Sequence, residues 1–243
     1  MISIRVGTAG WTVPKETATS FPADGSHLER YAVGLNAVEI NSSFYRSHRQ
    51  STYERWAASV PGSFRFAVKL PKQITHINQL IESEFELDQF IEETSGLGDK
   101  LGPILVQLPP SLAWSEGTVH RFFSVFRARH RGSIVCEPRH KSWFSDEVDC
   151  QLNSLQIGRV AADPAIVPQA AIPGGYREEC YFRWHDSPRI YYSDYDENSL
   201  SRLENSLEAA ALHGQSAWCI FDNTAGGAAI RNALTLSAML QEK

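Results

Sequence analysis

The residues of this sequence best suited to chemistry sit at the ends of short apolar runs. Glu39 and Asn41 close the run that begins at Ala37, Lys69 lies in Phe64 to Leu70, Gln107 in Ile104 to Leu108, and Glu137 ends Ser133 to Glu137 with Arg139 two residues on. Asp163 ends Arg159 to Asp163, Arg183 and His185 close Cys180 to His185, and Asp222 and Asn223 follow Ala217 to Phe221. Such a set could run acid–base chemistry on a bound anion. Glu39 and Glu137 are the acid–base candidates, with His185 assisting and His140 as a proton shuttle near neutral pH. Lys69, Arg139 and Arg183 are the cations that would clamp a phosphate or carboxylate, since an arginine fork matches either group. Asn41, Gln107, Asp163, Asp222 and Asn223 supply further substrate contacts. Tyr45 and Trp143, two of many aromatics in the loops, supply rings for stacking on a sugar or base. The charges almost cancel, so a self-neutralising ion-pair network is the structural alternative, at roughly several kcal/mol for each ion left unpaired.

Two further features belong to this set. Asn223-Thr224-Ala225-Gly226-Gly227 opens the last helical stretch, where bare backbone N–H groups could receive an anion; Asp222 opposes this unless Arg183 neutralises it. Glu39, Glu137, Asp163, Asp222, His140 and His185 are acceptable ligands for a divalent ion, but Lys69, Arg139 and Arg183 compete for the same carboxylates. A metal is therefore the secondary reading, and no cofactor is required.

These residues converge only if the elements carrying them form a ring. Strand-like runs alternate with helical periodicity along most of the chain. Ser3 to Gly7 is the first strand, and Leu28, Tyr31, Ala32 and Leu35 then repeat at the spacing of one helix face. Tyr53, Trp56, Ala57 and Val60 mark the next helix; Leu87, Phe90 and Ile91 an acidic one; Val119, Phe122, Phe123 and Phe126 a fourth. Gly102-Pro103 is expected to break the acidic helix before the fourth strand. Val148, Leu152 and Leu155 carry the fifth helix, Leu200, Leu203, Leu207 and Ala211 a later one capped by Gly214, and Ile230, Ala233 and Leu234 the last. Pro164 to Arg177, rich in proline and glycine, predicts an irregular segment that replaces or shortens the sixth helix. The expectation is an α/β fold, a TIM-type (β/α)8 barrel formed by residues 1–243 as a single domain. The C-terminal ends of its strands would then gather the polar residues at one mouth.

Composition bounds the classes. At 243 residues the chain can bury roughly 70–75% of its extended surface without staples. Its 42% hydrophobic and 21% charged content is that of a soluble globular protein, and no apolar run reaches the roughly 18 residues of a membrane span. The start, MISIRVG, lacks the layout of a signal peptide, and the four cysteines show no metal-binding spacing, which suits the cytoplasm. A net charge of −5 argues against a surface that coats nucleic acid.

Val38-Glu39-Ile40-Asn41-Ser42-Ser43-Phe44-Tyr45, Phe64-Arg65-Phe66-Ala67-Val68-Lys69-Leu70-Pro71, Ile74-Thr75-His76, Leu97-Gly98-Asp99-Lys100-Leu101-Gly102-Pro103, Val106-Gln107-Leu108-Pro109-Pro110 and Asn223 together resemble the YecE-like family, domain of unknown function 72. The resemblance runs in order over nearly the whole chain. It implies a TIM-type barrel related in shape to sugar isomerase and endonuclease IV barrels, and it implies no established reaction. The chain departs from the family pattern at Asp186 and Asp222, both of which add negative charge near the proposed anion site. The functional expectation is an enzyme, a hydrolase or isomerase, acting on a phosphorylated or sugar-containing small molecule or a nucleic-acid end. The alternative is a non-catalytic protein that binds nucleic acid or a metabolite at the same mouth. No membrane partner is expected, and the oligomeric state is left open.

Overall fold

The computed structural model describes residues 3–185, 194–211, 216–224 and 227–241. Parallel strands alternate with helices as the periodicity predicts. The order is β1 (Ser3–Thr8), α1 (His27–Gly34), β2 (Ala37–Ile40), α2 (Gln50–Ala58), β3 (Arg65–Lys69), α3 (Glu84–Thr94), β4 (Leu101–Gln107), α4 (Glu116–Arg129), β5 (Ile134–Glu137) and α5 (Asp146–Ser154). There follow β6 (Gly158–Arg159), β7 (Ala161–Asp163), β8 (Gly174–Gly175), β9 (Glu179–Trp184), α6 (Glu197–Ala211), β10 (Ser216–Phe221) and α7 (Ala228–Met239). Local chemistry fixes several starts. Ser26 and Glu29 form a reciprocal capping box on α1, and the Ser145 hydroxyl accepts from Val148 N at the start of α5.

The strands of this TIM-type barrel lie in two arcs, β1-β10-β9-β7 and β2-β3-β4-β5-β6-β8. The arcs meet at two seams. At one, a single run of chain serves both, because β6 pairs with β5 while β7, one residue later, pairs with β9. At the other, Ala9 bridges to Glu39 in parallel and Gly10 N donates to Glu39 O at 2.8 Å. The Tyr31 hydroxyl is wedged into that seam, accepting from Thr8 N and donating to Ala37 O, both at 2.9 Å. A Cβ at Gly7 would collide with the Ala37 carbonyl oxygen, so only glycine lets the two backbones come this close.

Two details differ from the sequence reading. Gly102 and Pro103 lie inside β4 rather than before it. A register shift between Phe66 and Val68 on β3 accommodates them, and Gly102 packs against the Trp218 ring with no room for a side chain. The irregular segment after β7 does replace a helix. It contains a 3-10 turn, Pro168–Ala171, and the antiparallel β8. The Gly214 cap lies outside the described residues. Cys136, Cys180 and Cys219 are buried, whereas Cys150 is exposed. Among the described residues no helix is long and apolar enough to cross a membrane.

The ring interior is layered. Ala37, Ala67, Leu105, Val135, Val160, Tyr181, Trp218 and Ile220 pack inside it, apart from the larger core between strands and helices. Above this apolar floor, toward the strand C-termini, the inward positions change to charged residues.

Candidate functional site

Side-chain alternation on β9 turns Tyr181 and Arg183 inward, and His185 follows on the same face. Arg183 is fully buried, and its guanidinium is divided among three carboxylates. Nε donates to Glu39 Oε2 at 3.0 Å and Nη2 to Glu39 Oε1 at 2.9 Å, a forked pair; Nη2 also lies 3.0 Å from Asp222 Oδ2, and Nη1 donates to Glu137 Oε2 at 3.2 Å. His185 is set between two of these anions, with Nε2 2.9 Å from Glu137 Oε1 and Nδ1 3.0 Å from Asp222 Oδ2. Glu137 also accepts from Gln107 Nε2 at 3.0 Å and pairs with Arg139 Nη2 at 2.5 Å. The Tyr181 hydroxyl donates to Glu39 Oε2 at 2.9 Å. Residues from β2, β4, β5, β9 and the loops after β5, β9 and β10 thus meet at one place.

The electrostatics follow from this packing. Burial by itself would raise the Glu137 carboxyl, but Arg139, His185 and Arg183 together hold it well below the usual carboxylate range. Burial opposes ionisation of Asp222 as well, and Arg183 with His185 lowers its carboxyl. Desolvation works against the Arg183 cation, yet Asp222, Glu39 and Glu137 push its pKa well up. Burial and then Glu39 keep the Tyr181 phenol protonated far above its ordinary range. The sequence offered Arg183 as an anion clamp, but its fork is closed by carboxylates already in the protein. Glu137, anionic and accepting from four donors, is a weak proton acceptor rather than a poised base.

At the rim the accounting changes. The Lys69 ammonium is 4.2 Å from the centroid of the Phe44 ring and, among the described residues, forms no ion pair. Only 5% of Lys69 is exposed, and burial followed by the nearby Arg183 pushes its pKa down to about 8. Arg139 Nε and Asn41 Oδ1 are buried without a hydrogen-bond partner. The Ser43 hydroxyl, donating to Ile40 O at 2.8 Å or Lys69 O at 2.6 Å, ties the turn that carries Phe44 to β3.

Several expected members lie elsewhere, and strand parity explains most of them. Ala162 pairs with Arg183, so Asp163 pairs with Trp184 on the outer face, where its carboxylate accepts from the Tyr195 hydroxyl at 2.6 Å. Asn223 is one residue past the inward Asp222 and donates to Asn232 Oδ1 on α7 at 2.9 Å. Trp143 is wholly buried, its indole N–H donating to Leu112 O at 2.9 Å and its ring edge-to-face with Trp114. His140 Nδ1 takes part in a turn with Ser142, 2.8 Å from its hydroxyl, and no hydrogen bond joins it to the cluster. Tyr45 is 69% exposed beside Phe44. Asp186, Ala225 and Gly226 lie outside the described residues, so the glycine-rich anion turn is described only at its ends. Among the described residues no group of three or more His, Cys, Asp or Glu side chains is placed to hold a metal ion. Phe44 is one of the loop aromatics, and Tyr181 is the site residue that the sequence reading misses, although Tyr181-x-Arg183-x-His185 carries the period-two signal that finds it.

A model of the family described as "Protein of unknown function DUF72" matches residues 5–243. The chain belongs to the DUF72 family. The UPF0759 protein YecE of Escherichia coli (strain K12) is 29% identical over 113 residues, 46% of this chain and 40% of YecE, so the alignment spans less than half of that relative. The fold matches that of a DUF72 family protein from Enterococcus faecalis V583 with a TM-score of 0.82 at 21% identity, covering 98% of this chain and 95% of the other. A sugar phosphate isomerase/epimerase from Parabacteroides distasonis ATCC 8503 shares the architecture more distantly, with a TM-score of 0.56 at 10% identity over 99% and 94% of the two chains. At these identities the structural matches speak for the DUF72 fold alone.

Proposed function

We propose that this DUF72 chain is an enzyme acting on an anionic, phosphorylated or sugar-containing small molecule at the C-terminal ends of its strands. One observation carries the reading. The carboxylates of the cluster are consumed by Arg183, Arg139 and His185, while Lys69, Arg139 Nε and Asn41 Oδ1 are left at the rim with unspent hydrogen-bonding capacity. A purely structural network would spend every buried donor, because each one left over costs about 1–3 kcal/mol. Arg139 would take the negative charge of the ligand. Asn41 would accept from a ligand hydroxyl, and His185, bracketed by Asp222 and Glu137, is placed to pass a proton. The fold shared with a sugar phosphate isomerase/epimerase is compatible with this substrate class as an analogy of architecture.

Thermal unfolding in the presence of sugar phosphates, inorganic phosphate and neutral sugars tests the reading. A sugar phosphate at 100 times its dissociation constant adds about 2.7 kcal/mol, which for a chain of this size is a rise of roughly 5–10 °C in Tm. Arg139→Gln should abolish the rise. A shift of equal size in that variant, or none with any phosphorylated ligand, would overturn the assignment. Turnover of the stabilising ligand separates an enzyme from a protein that only binds.

A further inference from the structure

The position of Lys69 is unusual for a residue that only holds an anion. It comes from the C-terminal end of β3, is almost wholly buried, and has the Phe44 ring rather than a carboxylate against its ammonium. Its charged neighbour Arg183 is a permanent cation locked by Glu39, Glu137 and Asp222, so it cannot move aside. An amine in such a place is driven toward its neutral form, which is the nucleophilic one. A residue retained for charge would be expected to sit where the charge is favoured. Arg139, part-buried in the loop after β5, already supplies a guanidinium at this mouth.

We infer that Lys69 is a covalent nucleophile, forming an imine with the aldehyde or ketone carbon of a substrate whose anionic group is held by Arg139. The inference rests on the reading of this mouth as a site for an anionic ligand, and it narrows that ligand to a carbonyl compound. The step balances without an oxidant or reductant. Neutral Nζ adds to the carbonyl carbon as the C=O pair moves to oxygen; a proton passes from nitrogen to that oxygen, giving a carbinolamine. One further proton, from solvent water, lets the hydroxyl leave as water while the nitrogen lone pair forms C=N. The protonated imine keeps the positive charge that Lys69 carried as an ammonium, within the field of Glu39, Glu137 and Asp222. The shift in its amine supports the geometry, since a pKa of about 8 leaves far more neutral amine at pH 7.5 than an exposed lysine has.

Reductive trapping decides the matter. The intact protein is incubated with glyceraldehyde 3-phosphate or glyoxylate plus cyanoborohydride, and the modified lysines are mapped by peptide mass spectrometry. Lys69 should be modified at least about tenfold faster than the exposed Lys72 and Lys141 near neutral pH, as a depressed amine pKa predicts. Its rate should rise with a midpoint near pH 8. Lys69→Arg keeps the charge and should retain the thermal shift given by phosphate ligands while losing the fast adduct. Modification spread evenly over the lysines, or Lys69 untouched while phosphate ligands still raise Tm, would overturn the imine and leave the anion site standing. Loss of both trapping and thermal shift would overturn both. The experiment on the unmodified protein decides even if the variant does not fold.

Discussion

Arg159 on β6 and Arg183 on β9 are both buried and both forked onto a carboxylate, yet they do different work. Arg159 faces outward. Its Nε and Nη2 pair with Asp149 at 2.7 and 2.9 Å, its Nη1 donates to the Gln169 and Ile172 carbonyls, and it sits 5.0 Å from the Phe144 ring centroid. One cation meets one anion, and the remaining donors fasten the irregular segment that stands in for a helix. Arg183 faces inward and meets three carboxylates, which the Arg139 guanidinium and the His185 ring also contact. Pinning a loop takes one matched pair. Three carboxylates in a fully buried volume need a further reason, because an apolar core of the same shape would often be no less stable.

The sharpest way to break the comparison is to remove each arginine. Arg183→Met strands Glu39, Glu137 and Asp222 in a buried volume, and the loss expected in urea-induced unfolding is about 3–5 kcal/mol or more. Acid titration sharpens the difference. Glu137 and Asp222 have folded pKa values below their unfolded ones, so the stability they contribute is complete above about pH 4 and is lost as pH falls through the folded values. That acid-side slope should shrink in Arg183→Met and persist in Arg159→Met.

Lys69 gives the next largest effect, and with the opposite sign. Its folded pKa of about 8 is below the ordinary 10.5, so the unfolded chain binds more protons between those values and this group makes stability rise with pH across that window. Lys69→Met should therefore be more stable than the parent at pH 7 by up to about 3 kcal/mol, with the gap closing as pH approaches 10.5. A variant destabilised at pH 7 would mean that the ammonium is paired in solution. Arg159→Met is the smallest of the three. Asp149 keeps a side-chain exposure of 26%, so its carboxylate can hydrate once the partner is gone, and the loss should be about 2 kcal/mol. Hydrogen exchange should then quicken mainly around residues 164–177, whereas Arg183→Met should quicken it throughout the ring.

Period-two and helical spacing are local properties, and they located the parallel strands and the α-helices described here to within a few residues, including the segment after Asp163 that has no α-helix. Together with the motifs from Glu39 to Pro110, they were enough for the family and the barrel. The same local rule placed Glu39, Glu137, Arg183 and His185 at strand ends, but it could not fix on which face of the ring each strand end pointed. Asp163 and Asn223 are strand-end residues by sequence but face away from the mouth, because register is set by pairing with the neighbouring strand and a one-residue change reverses the face. Trp143 lies in a loop by sequence and in the core by packing, where its N–H found the Leu112 carbonyl. Residue types alone determined that this chain carries a balanced set of charges at its strand ends. Only tertiary structure decided which charges neutralise one another and that Lys69 is left over, since ion pairing depends on distances across the ring that no stretch of sequence contains.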